Sequence, residues 1–195
     1  MAARAYGRLM AGGGGDPFDR HLFACVVALT QAEGRPLGDS LGLSAEEMAA
    51  LVGTFFPHAP ELLAGLDPDS QCGEAQTVDE SALRSLLLRH RAAGAIEERW
   101  LAHVIARRAQ APRLLWQELG LSGRPDLCLI LAFHFTELAA CNHDDMRWKP
   151  FFRRQIELAG GLDCRATVDC AECRRNIRCF GPESGSSLLL ATHMG

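Results

Sequence analysis

Apolar residues recur along most of the chain at intervals of three and four, the spacing that gathers them on one stripe of an α-helix. The first clear stripe is Phe18, Leu22, Cys25, Val26 and Leu29. Asp16 stands where a carboxylate can accept from the free N–H groups of a first turn, Pro17 fills a position whose missing N–H costs nothing, and Gly34 stops the run. A second start is Ser44 with Glu47 three residues on, a capping-box pattern leading into Met48, Leu51, Val52 and Phe55. Pro57 and Pro60 close that helix or open a short helical turn. The stretch from Asp67 to Thr77, with Pro68, Ser70 and Gly73, reads as a loop.

Between Asp79 and Ala111, Leu83, Leu86, Leu87 and His90 share one face. After Gly94, Ile96, Trp100, His103, Val104 and Arg107 share another, so two helices are predicted. Pro112 interrupts the pattern, Leu114 to Leu121 forms a short apolar turn, and Pro125 with Asp126 opens a helix expected to run through Leu138. Asp144 to Ala159 carries Met146, Trp148, Phe151, Phe152 and Ile156. Pro150 is tolerable there only near the helix start or at a kink. Gly160 and Gly161 end that helix. No stretch alternates at period two and no segment repeats, so neither strands nor a solenoid is predicted. The expected fold class is mainly α. A compact multi-helix domain spans residues 16–160, after a flexible segment 1–15 whose Gly12–Gly15 run reads as a tether. A short C-terminal cysteine-rich cluster-binding module spans 161–183, and 184–195 is a tail without an assigned role.

A chain of 195 residues that is 48 % hydrophobic can bury one sizeable core. Its formal charge of -4 lacks the strongly basic footprint of a nucleic-acid binder. The longest apolar run, Leu127 to Phe133, is far too short to span a bilayer, and Met1 to Gly15 has no apolar run of signal-peptide length. A cytoplasmic chain is therefore expected, with neither membrane nor nucleic acid among its partners. Eight cysteines in such a compartment are thiols or metal ligands and not a disulfide framework. Charge is uneven: Arg147 to Phe180 carries eight basic and four acidic residues. A positive field around cysteines favours thiolates and attracts oxyanions, although a solvated basic face has the same composition.

Beyond Gly161 the periodic apolar content falls away and four cysteines follow closely: Cys164, Cys170, Cys173 and Cys179, with intervals of five, two and five residues between them. A segment with so little surface to bury needs another source of order, and a metal centre is expected to supply it. Thiolates hold iron–sulfur clusters; they also fill structural zinc sites, which commonly use two short cysteine knuckles where this chain has one. Spacing alone leaves iron–sulfur, zinc and thiol redox chemistry open. A thioredoxin-like use of Cys170 and Cys173 would require a βαβ unit around them, and no such unit is predicted. Cys25 and Cys128 lie in apolar runs and read as core. Cys72 reads as a surface thiol, while Cys141, beside Asn142 and His143, lies near enough to the basic segment to face the cluster. His103 and His134 read as packed or hydrogen-bonded, and His193 falls in the tail. No carboxylate pair or Ser-His-Asp pattern suggests hydrolysis.

The string Asp145-Met146-Arg147-Trp148-Lys149-Pro150-Phe151-Phe152, then Gln155 and the cysteine module ending Cys179-Phe180-Gly181-Pro182-Glu183, resembles the NifQ proteins of nitrogenase cofactor assembly. Supporting strings are Asp16 to Ala24, Leu41 to Ser44 before Phe55-Phe56-Pro57, Leu86 to Ala92, and Leu115 to Leu121, so the likeness covers about residues 6 to 183. Two features depart from the family pattern: five residues, not four, separate Cys164 from Cys170, and Pro150 stands where a basic residue is usual. The resemblance implies a metal-cluster carrier and not a turnover enzyme. It implies an oxygen-sensitive iron–sulfur cluster of the 3Fe-4S or 4Fe-4S type on Cys164, Cys170, Cys173 and Cys179. That cluster would take molybdenum from molybdate or a thiolated source and pass it to the nitrogenase cofactor scaffold and the nitrogenase reductase. Arg174, Arg175 and Arg178 would offset its negative charge, and Trp148, Phe151 and Phe152 would anchor the module to the helical domain. The competing expectation is a zinc-stabilised helical interaction module without cluster chemistry.

Overall fold

Capping chemistry written into the sequence sets the first helices. In the computed structural model, which describes residues 1–66, 73, 75, 77–158, 162, 164 and 176–191, the regular structure is helical throughout. It begins with α1 (Ala2–Met10), α2 (Pro17–Ala32), α3 (Leu37–Leu41) and α4 (Ala45–Phe55), followed by a 3-10 turn, Pro60–Leu63. Asp16 Oδ1 accepts from Phe18 N at 2.9 Å and from Asp19 N at 3.3 Å. At α4, Glu47 N donates to Ser44 Oγ (3.1 Å) while Ser44 N donates to the Glu47 carboxylate (3.0 Å), closing the capping box. Gly42 terminates α3 in the left-handed region at φ 65°, where the absence of a Cβ also spares a close approach to Arg107.

The N-terminus differs from the expected tether. Ala2 and Leu9 of α1 are buried, the helix packs along α2, and the Tyr6 hydroxyl lies 2.8 Å from His21 Nδ1. The glycines that follow are packed as well: a Cβ on Gly13 would run into the Phe55 carbonyl oxygen. That run serves close approach of two backbones.

The chain continues through α5 (Val78–Arg89), α6 (Ile96–Ala109), α7 (Leu115–Glu118), α8 (Arg124–His134), α9 (Thr136–Ala140), α10 (Trp148–Glu157), α11 (Asn176–Phe180) and α12 (Leu188–Ala191). The single helix expected from Pro125 to Leu138 is divided at Phe135, whose φ of -137° and ψ of 54° lie outside the helical region. Phe135 and Leu138 are both fully buried, so the apolar pattern runs on across the break. Ile96 also departs from its expected stripe, standing 48 % exposed at the start of α6. Residues 22–29 of α2 are buried on every side, the mark of a helix at the centre of a core. Phe23 of α2, Phe55 of α4 and Trp100 of α6 meet there, with ring centroids 5.1 to 6.3 Å apart. Part of the tail belongs to this fold, since α12 packs on α1 and α2 with Leu189 buried.

Buried charges tie helices together over long sequence distances. Glu80, wholly inaccessible, receives Arg84 at 2.7 Å and Arg107 at 2.8 Å, and Arg107 also donates to the Asp39 carbonyl. Arg108 pairs with Glu33 at 3.1 Å and donates to the Thr30 hydroxyl. His134 Nε2 lies 2.8 Å from Asp19 Oδ1, and His103 Nδ1 lies 3.1 Å from the Gly42 carbonyl. Both imidazoles are thus packed and polar-partnered, as their positions in the helical pattern suggest. Burial, reinforced by the Arg84 charge, holds His103 below the usual histidine pKa. None of the described helices is long and apolar enough to cross a membrane.

Candidate metal centre

The loop 141–147, between α9 and α10, is built to hold its shape. Asn142 brackets Met146 by accepting from its N–H at 3.0 Å and donating to its carbonyl at 2.9 Å. Asp145 adopts φ 56°, a left-handed conformation that aspartate tolerates better than most side chains. Arg124, from the first turn of α8, donates to the Asp145 carboxylate (2.7 Å), the Asp145 carbonyl (3.0 Å) and the Met146 carbonyl (2.8 Å). Immediately beyond, Trp148, Phe151 and Phe152 are buried together, and the Trp148 indole N–H points at Cys128 Sγ, 3.4 Å away. Met146 sinks into the core beside them. The loop is therefore anchored from α8, from its own side chains and from α10.

Both described cysteines of the four-cysteine module are seated on this loop. Cys164 is joined to Cys141 by a disulfide, with Cα atoms 4.4 Å apart, within the range such a bond requires. His143 Nε2 lies 2.6 Å from the Cys164 carbonyl oxygen and its Nδ1 lies 3.0 Å from the Asp144 carboxylate. Those two hydrogen bonds, the carbonyl one foremost, favour imidazolium and hold His143 above the usual histidine pKa. Through its contact with the carbonyl oxygen, His143 clamps the Cys164 backbone onto the loop. At the other end of the module, the Cys179 carbonyl in α11 accepts from Arg147 N at 2.7 Å. The Arg147 guanidinium donates to the Gly181 carbonyl (2.9 Å) and the Pro182 carbonyl (2.7 Å).

Cys170 and Cys173 lie outside the described residues, as do Arg174, Arg175, Cys72 and His193. Among the described residues, no three His, Cys, Asp or Glu side chains gather as a metal site. Cys25 is core, as its place on an apolar stripe suggests; burial, then the Asp126 charge, pushes its thiol up to about 12, far from a reactive thiolate. Cys128 is partly buried in the same manner. The junction of Cys141 with Cys164 departs from the expectation of thiols and metal ligands only. Twenty-three positions separate the two residues, and the sole sequence signal was the nearness of Cys141 to the basic segment.

Beside α11 a cleft of about 160 Å³ is lined by Arg113, Arg147, Lys149, Arg178 and Glu183 together with apolar residues. Lys149 Nζ donates to the Ala111 and Arg113 carbonyls at 2.5 and 2.6 Å, and burial lowers its pKa. Burial likewise raises that of the Glu183 carboxyl. Three arginines and Lys149, together with Glu183, thus line the cleft beside the helix that carries Cys179.

A family model described as NifQ matches residues 22–181, a span containing the loop, the basic cleft's Arg147, Lys149 and Arg178, and all four module cysteines. The chain belongs to the NifQ family. The NifQ homolog of Sinorhizobium fredii is 36 % identical over 176 residues, covering 87 % of this chain and 75 % of its own length. Protein NifQ of Rhodobacter capsulatus is 38 % identical over 149 residues, 76 % of this chain and 79 % of its own. Protein NifQ of Azotobacter vinelandii is 35 % identical over 174 residues, 84 % and 89 % respectively. The NifQ family is associated with biosynthesis of the molybdenum cofactor of nitrogenase. No solved structure matches the chain.

Proposed function

We propose that this chain is an iron–sulfur protein that takes up molybdenum and donates it to iron-molybdenum cofactor synthesis for nitrogenase. Its ligand set is Cys164, Cys170, Cys173 and Cys179, and molybdenum is its cargo. The observation that carries the reading is the common seat of Cys164 and Cys179 on the 141–147 loop of a NifQ-family chain. Four thiols are the donor chemistry an iron–sulfur cluster requires, so the residues fit the group. Once bound, the cluster supplies soft sulfide and a metal corner at which molybdenum can be held.

The chain's own residues prepare and serve that site. In this reading the latched loop holds the backbone at Cys164 and at Cys179, which limits the entropy lost on loading once the Cys141–Cys164 disulfide is reduced. Arg147 fixes the segment after Cys179 through main-chain carbonyls, so its charge remains available to the neighbourhood. Cys164 is exposed, which suits a cargo that must pass to another protein. The cations of the adjoining cleft draw an oxyanion such as molybdate, or a thiolated form of it, toward the module. The recipients in this reading are the nitrogenase cofactor scaffold and the nitrogenase reductase, in the cytoplasm. The chain acts as an accessory carrier without catalytic turnover.

The test is Cys170→Ala in the full chain, purified and reconstituted anaerobically with ferrous iron and sulfide. Iron per chain is expected to fall to background while the far-UV helical signal stays at its wild-type level. Iron content equal to wild type would refute the ligand assignment.

A further inference from the structure

We propose that Cys141 is a fifth thiol of this centre, able to replace Cys164 as a ligand to a soft, thiophilic metal. The proposal rests on the reading of the cysteine module as a metal centre and assigns a further residue to it. Cys141 and Cys164 have their sulfurs in bonding contact and their Cα atoms 4.4 Å apart. A metal at an ordinary thiolate distance from Cys164, roughly 2.3 Å, therefore lies within a side-chain rotation of Cys141.

The two sulfurs reach that place by independent routes. Cys141 ends α9 with its N–H bonded to the Glu137 carbonyl, on a loop that Asn142 and Arg124 hold fixed. Cys164 arrives from beyond α10, and His143 retains it by its backbone carbonyl, so this tether survives loss of the Cys164 side chain. Cys141 also differs from the core thiol. Cys25 is enclosed within α2, whereas Cys141 sits at the rim, 8 % exposed, facing an exposed Cys164.

The disulfide must open before either sulfur can bind metal. The pair takes two electrons and two protons from a dithiol reductant, which becomes a disulfide itself; whichever of the two thiols then ligates releases its proton. Loading is thereby confined to reducing conditions.

The test compares reduced, anaerobic full-length wild type with Cys164→Ser, Cys141→Ser, the double variant and Cys170→Ala, each reconstituted with ferrous iron and sulfide. Iron and visible absorption are expected to fall part-way in Cys164→Ser and to background in the double variant. In Cys164→Ser, loading should also shield Cys141 from alkylation by iodoacetamide, read by mass spectrometry. Loss in Cys164→Ser as complete as in the double variant, iron retained equally by both, or alkylation of Cys141 unaffected by loading would each overturn the proposal. If replacing the buried Cys141 disturbs folding, the alkylation read-out decides the question, since Cys164→Ser keeps Cys141 and changes only an exposed residue. Full iron in Cys170→Ala would instead remove the module reading itself, a separate failure.

Discussion

Replacing Arg147 with Met should release the end of the cysteine module while leaving the helical domain intact. The five-residue helix α11 is too short to persist by itself and depends on its docking. Its docking on the 141–147 loop combines one main-chain bond, Arg147 N to the Cys179 carbonyl, which the variant retains, with two guanidinium bonds to Gly181 and Pro182, which it loses. A hydrogen bond to a charged donor is worth about 1.5–3 kcal/mol. Arg147 is only half-buried, so water recovers part of each, and about 1.5–3 kcal/mol for the two together is the reasonable sum. At about 1.4 kcal/mol per factor of ten, that is roughly a 10- to 150-fold faster opening of the segment. Hydrogen exchange followed by mass spectrometry on residues 178–181 should show this acceleration, with the amides of α2 unchanged. A rise below about threefold, or an equal rise in α2, would refute the claim that Arg147 docks the module locally.

Other consequences follow from the buried polar groups. Glu80→Gln removes the carboxylate shared by Arg84 and Arg107, both deeply set, and should cost about 3–5 kcal/mol; calorimetry finding less than about 1 kcal/mol would contradict the pairing. His103 binds a proton less readily in the fold than in the unfolded chain. Its contribution is therefore complete above the ordinary histidine value near pH 6.5 and is lost as the pH falls below it. His103→Gln should accordingly flatten the acid decline in urea midpoint between neutral pH and about pH 5, and an unchanged slope would count against the burial argument.

The helices were legible where a local signal exists. Asp16 with Pro17 and Ser44 with Glu47 mark the starts of α2 and α4 because capping is decided within one turn of chain. The buried trio Trp148, Phe151 and Phe152 was visible for a similar reason, as neighbours on a short helix. What escaped depends on partners far along the chain. Helix α1 is a single short helix set before a glycine run, and its packing on α2 gives it a place in the fold. The break at Phe135 hides inside a continuous apolar pattern. Glu80 and Arg107 are 27 residues apart, and Cys141 and Cys164 are 23 apart, with no periodicity linking either pair. Spacing singles out the four cysteines, of which Cys164 and Cys179 are among the described residues, whereas the loop that seats these two leaves no spacing signal because it grips their backbone carbonyls.

The most direct test of the central claim is metal analysis of anaerobically purified full-length chain for iron, molybdenum and zinc, together with its visible absorption spectrum. The account predicts iron with broad sulfur-to-iron absorption, and molybdenum that becomes bound after addition of molybdate under reducing conditions. Stoichiometric zinc in a colourless protein, unaltered by reconstitution with iron and sulfide, would contradict it.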